Sequence, residues 1–220
     1  RNDMRQSSKF SHHEPCDCGS SDGRAVYKDG SKYCFVCKTF WRSNDAREDE
    51  KVETMGHRID ELSSAALESR GISREVAEEY GVLVEYDEAT REELAYYFPR
   101  TKNGQVTGYQ VRYLPKEFRS IGDTKNCELF GQSHMGDGGK FIIVCEGNED
   151  TLAARQMLLS LGKNYRVVGL PNGANIQAVR NNLEWLEKFE CVVFALDQDK
   201  PGRECAQEAA ELLSPGRSRI

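Results

Sequence analysis

Two nearly uninterrupted apolar runs, Lys140-Phe141-Ile142-Ile143-Val144-Cys145 and Cys191-Val192-Val193-Phe194-Ala195-Leu196, stand out from an otherwise polar chain. Runs of this kind, without polar alternation, predict strands covered on both faces, as in a parallel sheet. Behind each run the spacing becomes helical: Leu152, Ala153, Gln156, Met157, Leu159 and Leu161 after the first, and Cys205, Ala206, Ala209, Ala210, Leu212 and Leu213 after the second. Between them, Arg166-Val167-Val168-Gly169-Leu170 predicts another strand and Pro171-Asn172-Gly173 a turn. An amphipathic helix is predicted from about Asn175 to Phe189. The order β-α-β-α-β-α implies a mostly parallel sheet with helical crossovers, and such sheets bind ligands at the carboxyl ends of their strands.

The upstream pattern is different. Residues 55–135 read as a small α+β subdomain in which Lys102-Asn103-Gly104-Gln105 is a hairpin turn. Residues 1–43 hold only short strand-like pieces, Arg24–Tyr27 and Lys32–Phe35, in a segment rich in Gly, Ser and Asp. Residues 44–54 are charged and structure-poor, the composition of a flexible linker. The expected organisation is therefore a module over 1–43, a linker over 44–54, the subdomain over 55–135 and the parallel-sheet unit over 136–220. No stretch is long or apolar enough to cross a membrane, and no repeat is visible.

A module of about forty residues with so little apolar material needs a metal or disulfides to fold. Cys16, Cys18, Cys34 and Cys37 form two close pairs, the pattern of a four-thiolate zinc ribbon. Structural disulfides are the alternative; no secretory signal accompanies them, which favours structural zinc in a reducing cytoplasm. The first pair is Cys-x-Cys where Cys-x-x-Cys is usual, so His13 is an alternative to one of its members. Cys127, Cys145, Cys191 and Cys205 are scattered singly and read as small buried hydrophobes.

Acidic clusters follow both apolar runs: Glu146-Gly147-Asn148-Glu149-Asp150 and Asp197-Gln198-Asp199. Carboxylates gathered at one sheet edge repel one another unless a cation offsets them. Magnesium suits such a set, since it takes hard oxygens from few carboxylates and completes its sphere with water and substrate phosphates. Taken singly, Asp150 as a helix cap and Asp197 and Asp199 as solvated loop acids are equally good readings.

Glu-Gly-x-x-Asp followed by Asp-x-Asp with Gly202-Arg203 resembles the Toprim fold of bacterial and phage primases, topoisomerases and some nucleases. That resemblance implies Glu146 as the acid that assists the reacting hydroxyl or holds metal, with Asp150, Asp197 and Asp199 as ligands of magnesium or manganese. Phage members often carry a further acid where this chain has Asn148. A zinc ribbon ahead of such a core resembles the primases fused to ring helicases in phages. So do Ala66–Ser73, Ala77–Gly81, Arg112–Gly122 and Leu129-Phe130-Gly131, and together the likeness covers nearly the whole chain. It implies a DNA-dependent RNA primase that joins ribonucleoside triphosphates on a single-stranded DNA template, working with a replicative helicase on the same polypeptide and a DNA polymerase in the host cytoplasm. A Toprim nuclease and a catalytically incomplete template-binding or helicase-adaptor module are the alternatives. Arg217-Ser218-Arg219-Ile220 reads as the start of a further strand, after which the family's last metal-binding aspartate is expected, so the chain is expected to be an excerpt.

The net charge is −6, yet cations collect in the middle of the chain at Arg100, Lys102, Arg112, Lys116, Arg119 and Lys125, among Tyr109, Tyr113 and Phe118. Such a stretch suits a triphosphate or a single strand, while an ordinary solvated face of a strand pair is an equal reading. The resemblance matches Lys116 to one of two lysines that handle nucleotide in phage primases; the other falls at Gln110. In the ribbon, Lys28, Asp29, Ser31 and Tyr33 are candidate template contacts, although Asp29-Gly30 also reads as a turn.

Overall fold

The computed structural model describes residues 10–16, 19–28, 30–36, 40–41 and 59–220. Cys18, Cys37, Asp29 and the linker expected over 44–54 lie outside the described residues. The chain forms two compact units, 1–60 and 61–220.

In the first unit, β1 (Phe10–Glu14), β2 (Arg24–Tyr27), β3 (Lys32–Cys34) and β4 (Phe40–Trp41) make an antiparallel sheet in that order. The central pair is the one expected from the sequence. β1 escaped because Ser11, His12 and His13 carry no apolar alternation; it is held by pairing with β2 and by Glu14, whose carboxylate meets Arg24 at 2.7 Å and Lys32 at 2.9 Å. Among the described residues the buried apolar side chains here are Ala25, Val26, Cys16 and Cys34, too few to drive folding by burial alone.

The second unit contains two four-stranded sheets. β5 (Leu83–Tyr86), β6 (Glu93–Lys102), β7 (Gln105–Tyr113) and β8 (Glu117–Gly122) form an antiparallel meander. Its β6–β7 hairpin turns at Asn103 and Gly104, both with positive φ (51° and 74°), as a tight two-residue turn demands. The other sheet is parallel, in the order β10 (Arg166–Gly169), β9 (Gly139–Cys145), β11 (Phe189–Ala195), β12 (Ser218–Arg219). Its crossovers run through α2 (Asn148–Ser160), the short helices α3 (Ile176–Asn181) and α4 (Leu183–Leu186), and α5 (Lys200–Leu212); α1 (Arg74–Glu79) precedes the meander.

The long helix expected from about 175 to 189 is thus two. Asn182 breaks it: its buried side-chain amide donates to the carbonyls of Ala178 (2.9 Å) and Cys127 (3.4 Å), tying the chain to a distant loop at that point. Side-chain bonds of this sort compete with the helical ladder.

The two sheets share one hydrophobic cluster, with Val76, Tyr80, Phe98, Leu129 and Phe130 from upstream meeting Ile142, Val144, Val168, Phe194 and Leu213. The Tyr80 hydroxyl donates to the Val167 carbonyl at 2.7 Å, and Phe130 and Gly169 exchange both backbone hydrogen bonds. Gly131 is required where these parts meet, because its φ is 84° and an added Cβ would lie 2.4 Å from the Tyr80 ring.

Candidate functional site

The register of the parallel sheet sets the site. Cys145 pairs with Ala195, so the residues that follow β9 and β11 leave the sheet side by side. Glu146 emerges from β9 and Asp197 just after β11, and the Glu146 carboxylate accepts a hydrogen bond from the Asp197 N–H at 3.1 Å. Asp199 caps α5, accepting from the Gly202 N–H at 2.9 Å. Asp150 lies in the first turn of α2, close enough to Gly147 that a Cβ there would meet its carboxylate at 2.8 Å.

Burial pushes the Glu146 carboxyl above the usual glutamate range, and the negative charges of Asp197, Asp199 and Asp150 add to that against the opposing Asp197 hydrogen bond. Among the described residues no three His, Cys, Asp or Glu side chains close into an ion-holding group. The donor chemistry nevertheless fits a hard divalent cation, being carboxylate oxygen throughout. Gly202 lets α5 approach this edge closely, since an added Cβ would lie 2.2 Å from the Asp197 carbonyl oxygen and 2.9 Å from a Glu146 oxygen.

Glu149, in the same motif, is engaged elsewhere. It pairs with Arg70 at 2.8 Å and with Arg112, whose guanidinium also lies over the Phe118 ring. Burial, and then the charge of Arg70, pulls the Arg112 pKa down. Arg70 was missed in the sequence reading because it sits in a short 3-10 turn far upstream; a motif acid left without a metal role was the available sign that a cation must reach it.

The mid-chain cations disperse. Arg100 is 1% exposed rather than on a surface, and burial pushes its pKa down to about 10. Its guanidinium donates to Asn148 (3.1 Å), Gln110 (2.7 Å) and the Pro171 carbonyl (2.5 Å), while Asn148 donates to Gln110 at 2.7 Å. Lys102 is held by Asp123 at 2.5 Å; Arg119 pairs with Glu117 and stacks on Tyr113. Lys116 and Lys125 are exposed and carry no ion pair among the described residues. A cavity of about 300 Å³ lies beside the acids, lined by Gln110, Phe118, Asn148, Glu149, Asp150 and Pro171 among others.

In the first unit, Cys16 and Cys34 are buried, and the Cys16 carbonyl accepts from Gly19 in a tight turn. His13 is exposed, with Nδ1 bonded to the Asp22 carbonyl at 2.6 Å, so that nitrogen is taken. Lys28 is exposed, and Tyr33 packs edge-on against Phe35 at 5.0 Å.

Residues 143–220 match the family model described as Toprim-like. A DNA helicase/primase of Enterobacteria phage T3 is 32% identical over 228 residues, which take in 96% of this chain and 39% of that protein. The chain therefore spans about two fifths of the curated relative it matches. The crystal structure of the primase fragment of the bacteriophage T7 primase-helicase protein superposes with a TM-score of 0.63 at 29% identity, covering 96% of this chain and 89% of that one. A structure of the bacteriophage T7 lagging-strand DNA polymerase interacting with two primase domains bound to an RNA/DNA hybrid and dTTP gives a match with a TM-score of 0.63 at 30% identity, covering 73% of this chain and 80% of the other.

Proposed function

Because the chain belongs to the primase family of the phage helicase/primases, we propose that it is a DNA-dependent RNA primase making short oligoribonucleotide primers on single-stranded DNA for replication. The observation that carries this reading is the Glu146 carboxylate seated on the Asp197 N–H at the carboxyl edge of a parallel sheet. Magnesium or manganese held by Glu146, Asp150, Asp197 and Asp199 would supply Lewis-acid stabilisation of the attacking and leaving oxygens of phosphoryl transfer.

The chain's own residues do the rest. Glu146 assists the reacting 3′-hydroxyl of the primer or holds metal beside it. Arg112, Lys116, Arg119 and Lys125 meet the triphosphate and the template phosphates, Arg112 being held ready by Glu149. Lys28 and Tyr33 of the first unit contact template, and Cys16, Cys18, Cys34 and Cys37 hold structural zinc, a donor set that suits its soft-ligand preference. The partners of this reading are a helicase on the same polypeptide and a DNA polymerase. The test is incubation of a single-stranded template with labelled ribonucleoside triphosphates and magnesium: template-dependent oligoribonucleotides are expected, and cleavage of the template without added nucleotides would replace the reading with a nuclease.

A further inference from the structure

Away from the acids, a second cavity of about 470 Å³ opens among Lys102, Gln132, Asn182, Trp185 and Lys188. Its volume lies in the usual range for small-ligand sites. Two of its carboxamides have fixed orientations. Asn182, 8% exposed, must present its NH₂ to the carbonyls of Ala178 and Cys127, because only a donor serves there; its oxygen has no partner among the described residues. Gln132 must present its oxygen to the Leu129 N–H at 3.0 Å, because only an acceptor serves there; its NH₂ has no partner among the described residues. The cavity lining thus offers one oriented acceptor and one oriented donor. The indole of Trp185 lines the same cavity and is pinned edge-on against Phe189 at 4.9 Å.

An oriented donor, an oriented acceptor and an aromatic wall complement a flat heterocycle with both functions on one edge. Among the described residues the cations at the rim are held by exposed acids, Lys102 by Asp123 and Lys188 by Asp137, pairs weak enough to exchange for phosphate. A smaller cavity of about 260 Å³ shares Asn126, Cys127 and Asn181 with this one and extends past Lys125 to Pro171 and Asn172, the loop leaving the carboxyl end of β10. A chain of phosphates leaving the first cavity therefore has a path toward the edge that carries the acids.

We infer that this cavity is a nucleobase site, taking one unstacked base of a single strand or the base of a free nucleotide. The inference rests on the reading of the chain as one that handles nucleic acid. Trp185 reports occupancy: in a Trp41→Phe background it is the sole indole of a chain with two tryptophans. Its emission is followed on adding a short single-stranded oligodeoxynucleotide, the same backbone without bases, or a ribonucleoside triphosphate. A saturable change with the oligonucleotide or the triphosphate, absent with the abasic strand, is expected, and whichever probe produces it identifies the source of the base. Gln132→Glu keeps the acceptor for Leu129 and removes the donor, so binding should weaken about tenfold with the unfolding midpoint unchanged. If that variant does not fold, Lys188→Gln at the exposed rim should weaken binding of the phosphate-bearing probes and flatten its salt dependence. No response of Trp185, or an equal response to the abasic strand, overturns the site. Primer synthesis, measured in parallel, reads the proposed function separately: synthesis without a Trp185 response sinks only the cavity, and a response without synthesis sinks only the primase reading.

Discussion

The Glu146 carboxylate and the Asp197 N–H, delivered by two neighbouring parallel strands, lie 3.1 Å apart. Glu146→Gln keeps an oxygen for that bond but loses the charge and the proton acceptor, whereas Asp197→Asn keeps the N–H and loses a carboxylate. Both variants should fold with unchanged circular dichroism, and each should lower primer synthesis at least about a hundredfold, given what disturbed metal surroundings cost. Synthesis within a few-fold of wild type in either would remove this edge from the chemistry.

Gly202→Ala separates space from helix propensity. In an ordinary helix alanine would stabilise by about 1 kcal/mol. Here its Cβ would fall 2.2 Å from the Asp197 carbonyl oxygen, so the loop must shift. Thermal unfolding should move down, and magnesium-dependent stabilisation of the fold should vanish together with synthesis.

The forked contact of Arg155 with Glu79, at 2.9 and 2.7 Å, ties α2 to α1. Arg155 is largely buried, so Glu79→Ala would leave an uncompensated charge there. We expect a loss of about 3 kcal/mol in urea unfolding, with a smaller loss when Arg155→Leu is added.

Acid should loosen the Glu93 clasp. Its carboxylate accepts from the Glu68 N–H, the Ser69 N–H and the Tyr96 hydroxyl. Burial alone would raise its pKa, but the bonds together outweigh that and hold it below the ordinary 4.5. The folded state then binds fewer protons than the unfolded one, so this stabilisation is complete above 4.5 and is lost as pH falls through the depressed folded value. In Glu93→Gln the corresponding part of the acid dependence of the unfolding midpoint should disappear; an unchanged profile would assign it to other carboxylates.

Zinc removal tests the first unit. Titration with a thiol-reactive mercurial should release one zinc per chain and abolish its β-sheet signal, since Ala25 and Val26 give little alternative core. Release of no zinc would leave the cysteines without that role.

The sequence revealed the parallel sheet because β9 and β11 are nearly continuous in apolar residues, and the acids at their ends were visible for the same reason. The expectation that both faces are covered is corrected, since Ile142, Val144, Val192 and Phe194 are buried while Phe141 and Ala195 on the other face are exposed. The turn at Asn103-Gly104 was equally legible, since few residues tolerate its backbone. Arg100 was not: local alternation cannot tell that β6 is covered on both faces, so a buried guanidinium resembled a surface cation. The break at Asn182 depends on the distant Cys127 carbonyl, and Arg70 meets Glu149 only through tertiary folding. The periodic signal carries strands and turns, while contacts between remote segments leave little local trace.

The Tyr80 bond to Val167 and the paired Phe130 and Gly169, from residues just before and just after the meander, fasten the upstream half to β10, the edge strand of the parallel sheet. In this chain the acid-bearing half leans on the upstream one: without it Val167 and Gly169 would lose these hydrogen-bond partners and the shared apolar cluster would be opened to water. Shortening the chain from its upstream side should therefore soften the very edge where Glu146 and Asp197 meet, although, among the described residues, neither side chain is hydrogen-bonded to the part removed.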